Sequence, residues 1–449
     1  MTATSATSST TAGNSMSRPA RLGILLAALT APLSAQTVAE GYEVGTWHGF
    51  RDAAVTHTFD DNLPSHTDVV VPLFDEFGLK ATFFVTTNWV SAADWPEFAA
   101  AAADGHEIAA HTLSHPNLSE LSVEAQRAQL EGSRDAIEAR ISGAEVLTLA
   151  YPFCVPGDRE LTEELFIAAR VCSGRVDSKS PTDFYQTSSF VVGSEANRAT
   201  AASLNAVAND AARSGGWANY LTHAIGAESG YSPIPAAELR SHVEYLADNL
   251  DRFWVATYAD VVRYIRERDA ASVTELVADY DGIVVEVTDD LDDAVYDVPL
   301  TLRRPIPDGW PGATAVQGTS PVRAVIVEEE GVVFVEFDAV PDAGPVTLTR
   351  TEPTSSASGP DSDLPRIVAS QPNPSQNSTT IVYELATAGP VTIEVFDALG
   401  RRVDTLVDTA QSAGRHRVVW DGSPYGAGTY TVRLRTDGHI EAGQVTLTR

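Results

Sequence analysis

Between about residues 45 and 270 the chain alternates short, densely apolar runs with longer stretches whose apolar positions recur at helical spacing. The runs over 53–59, 81–85, 107–110, 146–150, 217–221 and 253–256 predict strands. Helices are predicted over 68–77, which Gly78 closes, then 95–103, 122–141 with Ser122 as cap, 158–170 and 258–267. Strand and helix in turn argue an α/β layout with a parallel sheet. After Ala270 the period drops to two: Ile283, Val285 and Val287, then Val298, Leu300 and Leu302, then Val333, Val335 and Phe337. That pattern predicts a small β-sandwich over 273–350. Residues 351–365, rich in Ser, Thr, Pro, Gly and Asp, read as a linker. Beyond them, runs over 380–385, 391–396, 416–420 and 429–434 predict an immunoglobulin-like sandwich filling 366–449.

A length of 449 residues agrees with several cores, and an apolar fraction of 43% is that of a soluble chain. Charge changes the picture more. There are 61 acidic against 30 basic residues, a net charge of −31, and the only lysines are Lys80 and Lys179. Nucleic acid and anionic membrane surfaces are therefore excluded as partners. The run Asp289-Asp290-Leu291-Asp292-Asp293 reads as solvated surface in preference to a calcium site. Near the start, Arg18 and Arg21 precede an apolar run over 22–29, and Ser34-Ala35 follows, the pattern of a signal peptide over 1–35. No stretch is long enough to span a bilayer as a helix, so the expectation is a secreted or cell-surface protein and not an integral membrane one. Export permits a disulfide between the only cysteines, Cys154 and Cys172, although the helix predicted between them could hold them apart. Trp310 is the one feature of the first sandwich that suggests sugar binding, and a packing or spacer role outweighs it.

The candidate chemistry sits where strands end. Asp60 and Asp61 close the run 53–59, and two adjacent carboxylates ending an apolar strand are costly unless a cation stands between them. His111 and His115 follow the run 107–110 and are four positions apart, so both imidazoles can face one ion from a helical turn or a tight loop. One carboxylate and two imidazoles leave a position for water, as catalytic zinc sites do.

These residues carry a resemblance. Thr58-Phe59-Asp60-Asp61, His111-Thr112-Leu113-Ser114-His115 and Leu221-Thr222-His223 resemble, in order and spacing, the motifs of the NodB-type polysaccharide deacetylases, the fourth carbohydrate esterase family. The resemblance implies a distorted (β/α) barrel over 45–270, followed by the two sandwiches. It also implies a divalent metal, most often zinc, held by Asp61, His111 and His115. Asp60 would be the general base towards metal-bound water, and His223 the acid that protonates the departing amine or alcohol. Tyr151, Pro152 and Phe153 would form an oxyanion and substrate loop, with Leu221 beside it. The implied substrate is an acetylated polysaccharide, N-acetyl in preference to O-acetyl, and the competing reading is a carbohydrate-binding protein that has lost catalysis. Two departures stand out. Ala150 occupies the place of the family's arginine, with Arg175 as a candidate substitute, and Asn62 stands where a glycine often follows the aspartates. The last segment, through Pro372-Asn373-Pro374, Asp397-Ala398-Leu399-Gly400-Arg401, Trp420-Asp421-Gly422 and Ala427-Gly428-Thr429-Tyr430, resembles type A sorting domains of type IX secretion cargo. That resemblance implies the secretion machinery as a partner.

Overall fold

A computed structural model describes residues 37–306, 310–351, 365–375, 377–385, 387–396, 401–436 and 439–448. The leader, nearly all of the linker and residues 397–400 lie outside the described residues. Among those described, eight strands form one parallel sheet. They are β1 (Ala53–Asp60), β2 (Thr82–Val85), β3 (Glu107–Ala110), β4 (Thr148–Ala150), β5 (Ala168–Arg170), β6 (Phe190–Val191), β7 (Trp217–Thr222) and β8 (Phe253–Val255). The order is β5-β4-β3-β2-β1-β7-β6, and β8 pairs with the first half of β1 on the edge that β2 takes further along. Thr187, just before β6, bridges to Arg170 of β5 and brings the sheet round into a distorted barrel.

Strand alternation sorts the side chains into two populations. Val55, Phe59, Phe83, Val85, Ile108, Leu149 and Tyr220 point outwards into the main core. Ala54, Phe84, Ala109, Ala150, Ala168 and Trp217 share a separate inner cluster. Ala54, Ala109, Ala150 and Ala168 leave room for the Phe84 and Trp217 rings and for the buried side chain of Arg170, the mixture of small and large residues that a narrow barrel needs.

Seven helices surround the barrel among the described residues: α1 (Val71–Glu76), α2 (Trp95–Ala103), α3 (Val123–Glu138), α4 (Arg159–Leu165), α5 (Ala201–Ser214), α6 (Ala236–Asp248) and α7 (Tyr258–Ala270). Ser122, Asp158, Thr200 and Thr257 cap α3, α4, α5 and α7 by accepting from backbone N–H groups. Helix α7 sits at the barrel end where strands begin. Its Tyr258 N–H donates to Thr82 Oγ1 at 2.8 Å and its Ala259 N–H to Glu107 Oε2 at 2.9 Å, so the first residues of β2 and β3 satisfy the helix terminus.

The helix predicted over 158–170 is shorter than its sequence suggests. It stops at Leu165, Phe166 turns extended, and the Ile167 N–H donates to Leu147 O at 2.8 Å. Residues 168–170 are therefore a strand, because pairing with β4 outweighs the helix preference of two alanines, which amounts to less than about 1 kcal/mol per residue. The shortened helix still lies between the two cysteines but does not hold them apart, because the chain returns through β5 to place Cys172 within bridging range of Cys154.

The first sandwich also differs from expectation. One sheet holds Ser272–Ala278, Gly282–Thr288, Val346–Thr351, Gly312–Gln317 and Ser320–Val322, the other Ala324–Glu329, Val332–Ala339 and Leu300–Pro305. Each gains a strand from ahead of the barrel: Thr37–Val38 lies parallel to Ser272 and Val273, and Glu43–Val44 antiparallel to Leu302 and Arg303. Trp310 is no sugar platform. It is buried in this sandwich's core, and its indole N–H donates to Tyr280 O at 2.8 Å. The last module is a second two-sheet sandwich around Ile393, Tyr383, Trp420 and Val432. Its Arg417 donates to Ala247 O of α6 at 3.1 Å.

On the outer face of the barrel sheet, His57 of β1 is fully buried. It stacks on Tyr220 at 4.6 Å between ring centres, with Phe74 at 5.3 Å and His242 at 5.1 Å, and neither ring nitrogen has a hydrogen-bond partner. Burial pushes its pKa down to about 3. The folded chain thus refuses a proton that the unfolded chain accepts near pH 6.5, so this contribution to stability is complete above about pH 6.5 and is lost as pH falls towards 3. The urea midpoint should fall through that window, with His57 alone accounting for roughly 2 kcal/mol by pH 5. His57→Phe should flatten the dependence, and an unchanged slope would refute the assignment.

Candidate functional site

Every candidate group stands at the end of the barrel where the strands finish. β1 stops at Asp60, and Asp61 (φ 73°) and Asn62 (φ 43°) carry the chain over in the left-handed region. Asparagine enters that region more readily than most residues, which explains its presence where a glycine was the alternative. Its Oδ1 accepts from the Thr86 N–H at 3.1 Å, which ties the turn to the loop after β2. His111 follows β3, and the stretch to His115 is a loop and not a helical turn, with Thr112 at φ 68° and His115 at φ 57°. The His115 N–H donates to Thr112 Oγ1 at 2.9 Å, and the Ser114 N–H to Gln129 Oε1 of α3 at 3.1 Å.

This folding brings Asp61 Oδ1 to 3.6 Å from His111 Nε2 and 3.7 Å from His115 Nε2. Four ligand atoms about 2.1 Å from one zinc ion at tetrahedral angles lie about 3.4 Å apart, so these atoms are spaced to share a cation. Two further observations fit. Asp61 Oδ1 is buried with no hydrogen-bond partner, and His111 Nδ1 lies 2.7 Å from Ala150 O, which makes Nδ1 the protonated nitrogen and leaves the Nε2 lone pair facing the cluster. No other three His, Cys, Asp or Glu residues converge in this way among the described residues.

The electrostatics point the same way. Burial, reinforced by the neighbouring Asp60 carboxylate, pushes Asp61 up to about 7, against a lowering pull from Arg170. Burial pushes His111 down to about 4 and also lowers His115 and His223. At neutral pH the histidines are uncharged and ready to ligate, and Asp61 lacks a cationic partner. For Asp60, burial would raise the carboxyl, but the Arg170 guanidinium, helped by His111 and His223, holds it below the usual range.

Arg170 is the residue that the sequence motifs miss. Its side chain is fully buried, its Nη2 donates to Asp60 Oδ1, and its guanidinium lies 4.8 Å over the Phe84 ring. It is the register partner of Ala150 on the adjacent strand, so the cation comes from one strand further round and the alanine makes space for it. Arg175 does not serve: its side chain is 62% exposed and lies 3.8 Å from Asp177.

On the far side, His223 follows β7, with Nε2 3.8 Å from Asp61 Oδ2, and Leu221 is buried two residues before it. His66 Nε2 lies 2.9 Å from the His223 carbonyl, another contact without a sequence signal. Ser65 Oγ donates to Glu228 Oε2 at 2.5 Å and fastens the loop beyond. Past β4, Tyr151 is buried and its phenol is pushed up to about 12 by burial, while Pro152–Cys154 forms a short turn. The Cys154 N–H is spent on Tyr151 O and that of Val155 on Pro152 O. That leaves the Phe153 N–H as the turn's uncommitted donor among the described residues. Cys154 and Cys172 are joined as a disulfide, with Cα atoms 5.6 Å apart.

Comparison with known proteins places this arrangement. Residues 49–163 match the polysaccharide deacetylase family model, so the barrel carries a polysaccharide deacetylase domain, and residues 372–439 match the FlgD Ig-like domain. The first match covers Asp60, Asp61, His111, His115 and the Tyr151 turn, and ends before Arg170 and His223. A gellan lyase from Bacillus sp is 30% identical over 327 residues, 68% of this chain and 13% of that protein. A chitin deacetylase from Pestalotiopsis sp is 35% identical over 89 residues, 19% of this chain and 30% of that protein. The chain thus spans well under half the length of either relative. Among solved structures, the peptidoglycan deacetylase PdaC from Bacillus subtilis aligns over 48% of this chain and 93% of its own at 22% identity, with a TM-score of 0.36.

Arg170→Met should leave the Asp60 carboxylate buried and unpaired, at a cost of about 3–5 kcal/mol in urea unfolding at pH 7. Adding Asp60→Asn removes the stranded charge and should restore part of that loss. A double variant no more stable than Arg170→Met would show that the ion pair does not hold this end of the barrel.

Proposed function

We propose that the chain is a metal-dependent deacetylase that hydrolyses acetyl groups from a glycan, N-acetyl amides in preference to O-acetyl esters. The observation that carries the reading is the convergence of Asp61 Oδ1, His111 Nε2 and His115 Nε2 within 4.8 Å of one another, beside a second carboxylate already paired with an arginine. Asp61, His111 and His115 would hold a divalent cation, with zinc suited to one carboxylate and two imidazoles. Such a cation supplies Lewis acidity, making water acidic enough to react near neutral pH and polarising an acetyl carbonyl.

The protein's own groups do the rest. Asp60, kept ionised by Arg170, accepts the proton of the attacking water at its free carboxylate oxygen. The Phe153 N–H donates to the oxygen that gains negative charge as the carbonyl carbon becomes tetrahedral. His223, across Asp61 from His115, delivers a proton to the departing nitrogen or oxygen. This role suits an amide most, because an amine leaves poorly unless protonated.

We further infer that residues 366–449 direct delivery to the cell surface or beyond through the type IX machinery. The leader pattern over 1–35, the sandwich motifs and a disulfide suited to an oxidising compartment support this.

His111→Ala should abolish both metal retention, measured by elemental analysis after dialysis, and acetate release. Asp60→Asn should retain metal while turnover falls by about 10²–10⁴-fold. His223→Ala should lose more rate on an amide than on an activated ester. Full turnover in Asp60→Asn would reassign the base. Deleting 367–449 should leave acetate release intact and block surface delivery in the native host, and loss of activity would instead tie the module to catalysis.

A further inference from the structure

Phe153 and Cys154 follow one another in the left-handed region, at φ 56° and 58°. Neither is a glycine or an asparagine, and such a pair persists only where the surroundings fix it. The turn's own backbone bonds do not supply that: the Cys154 N–H donates to Tyr151 O at 3.0 Å and the Val155 N–H to Pro152 O at 3.1 Å, so they join the turn to itself. At its foot the Tyr151 N–H donates to Arg170 O at 3.3 Å, and beyond it the Asp158 N–H donates to Gln126 Oε1 of α3 at 2.6 Å. Between these two anchors Phe153 is 64% exposed, with its ring 4.6 Å from that of His115.

What crosses the gap is the bond from Cys154 to Cys172. Cys172 is a fixed post. Before it the Val171 N–H donates to Thr187 O at 2.9 Å, after it the Gly174 N–H donates to Ser189 O at 3.1 Å, and Ser173 Oγ donates to Ser188 Oγ at 2.9 Å. Arg170, two residues earlier, is held separately by its pairing with β4 and by Asp60. The bridge therefore ties the strained turn to the paired side of the barrel, one residue from the Phe153 N–H. Both cysteines are partly exposed, so small reagents reach the bond.

We propose that the Cys154–Cys172 bridge is a positioning element for turnover: it holds the Phe153 N–H where the developing oxyanion meets it, so that reduction leaves a folded chain that keeps its cation and binds substrate but hydrolyses slowly. This rests on the deacetylase reading and adds a regulation to it. Reduction breaks the S–S bond, adds two electrons and two protons and leaves two thiols, while an external pair of thiols is oxidised to a disulfide in exchange. A reducing compartment thus keeps the site incomplete, and oxidation completes it.

The test reads the turn and the turnover separately on the cation-loaded full chain. Hydrogen exchange of residues 151–157, followed by mass spectrometry, should be faster in Cys154→Ser/Cys172→Ser than in the oxidised chain, with 148–150 and 168–170 unchanged. In the same variant kcat for acetate release from N-acetylglucosamine oligomers or acetylated xylo-oligosaccharides should fall by about 10²-fold, with KM and bound metal little changed. Reducing the unmodified chain with a trialkylphosphine, which water converts to its oxide, should reproduce the loss without a substitution. Removing the phosphine and adding oxidised glutathione should restore the rate. If neither route speeds exchange in the turn, or if the turn loosens and kcat is unchanged, the proposal is overturned. Metal lost in parallel with kcat would make the bridge a general staple of the fold and overturn its positioning role. If the turn loosens but the oxidised chain releases no acetate from either substrate series, the bridge's hold on the turn stands, and the deacetylase reading falls together with the role in turnover.

Discussion

Two adjacent carboxylates at the buried end of a strand are the constraint around which this barrel is arranged. At an effective dielectric of about 20, unit charges about 5 Å apart repel by about 3 kcal/mol, and desolvation adds to that cost. The protein treats the two aspartates differently. Asp60 receives a fully buried guanidinium that holds its carboxyl below the usual range, whereas Asp61 meets the uncharged imidazoles of His111, His115 and His223, and burial beside Asp60 raises its carboxyl to about 7. The two neighbouring carboxyls are thereby shifted in opposite directions. The interior follows from the same demand: an arginine inside a narrow barrel needs neighbours without side-chain bulk, and Ala54, Ala109, Ala150 and Ala168 supply that space.

Backbone strain is concentrated in the same place. Six of the eleven non-glycine residues with positive φ, among those described, are Asp61, Asn62, Thr112, His115, Phe153 and Cys154. Each conformation of that kind is unfavourable by itself and persists because neighbouring bonds fix it. Here the Asn62–Thr86, His115–Thr112 and Ser114–Gln129 contacts join the strand-end loops to one another and to α3. The barrel below is a rigid frame of paired strands, and the departures from ideal geometry lie in the loops that present chemistry.

What the sequence reveals and what it hides follow from distance along the chain. Asp60-Asp61 and His111–His115 are short local patterns, and the strand alternation beneath them says which edge they occupy. Arg170 is different. Its partner lies 110 residues earlier, and the run Phe166-Ile167-Ala168-Ala169-Arg170 suits helix and strand equally until β4 is in place beside it. The strands at Thr37–Val38 and Glu43–Val44 are two residues each, too short to carry a period. Trp310 shows the converse limit: one tryptophan in a turn-rich stretch reads as surface, and only the folded sandwich reveals the core that encloses it. Trp89 and Tyr231 are exposed in loops, which have no periodicity from which to read an outward face.

The pairing of residues 37–44 with strands that follow the barrel gives the molecule a nested construction. The barrel is an insertion between two pieces of the first sandwich, and its two ends are held side by side where Thr37 meets Ser272. During synthesis the opening strands must wait for the whole barrel to emerge before their partners exist, so the inner domain can fold first and bring the outer one's halves together. Loop-closure cost grows only slowly with the length enclosed, and a folded insert with adjacent ends reduces it further. The sandwich therefore acts as a clasp on the barrel's two termini. Relatives that share the barrel but begin at its first strand would lack that clasp, and here the first sandwich and the barrel are linked at two points and not by a single hinge.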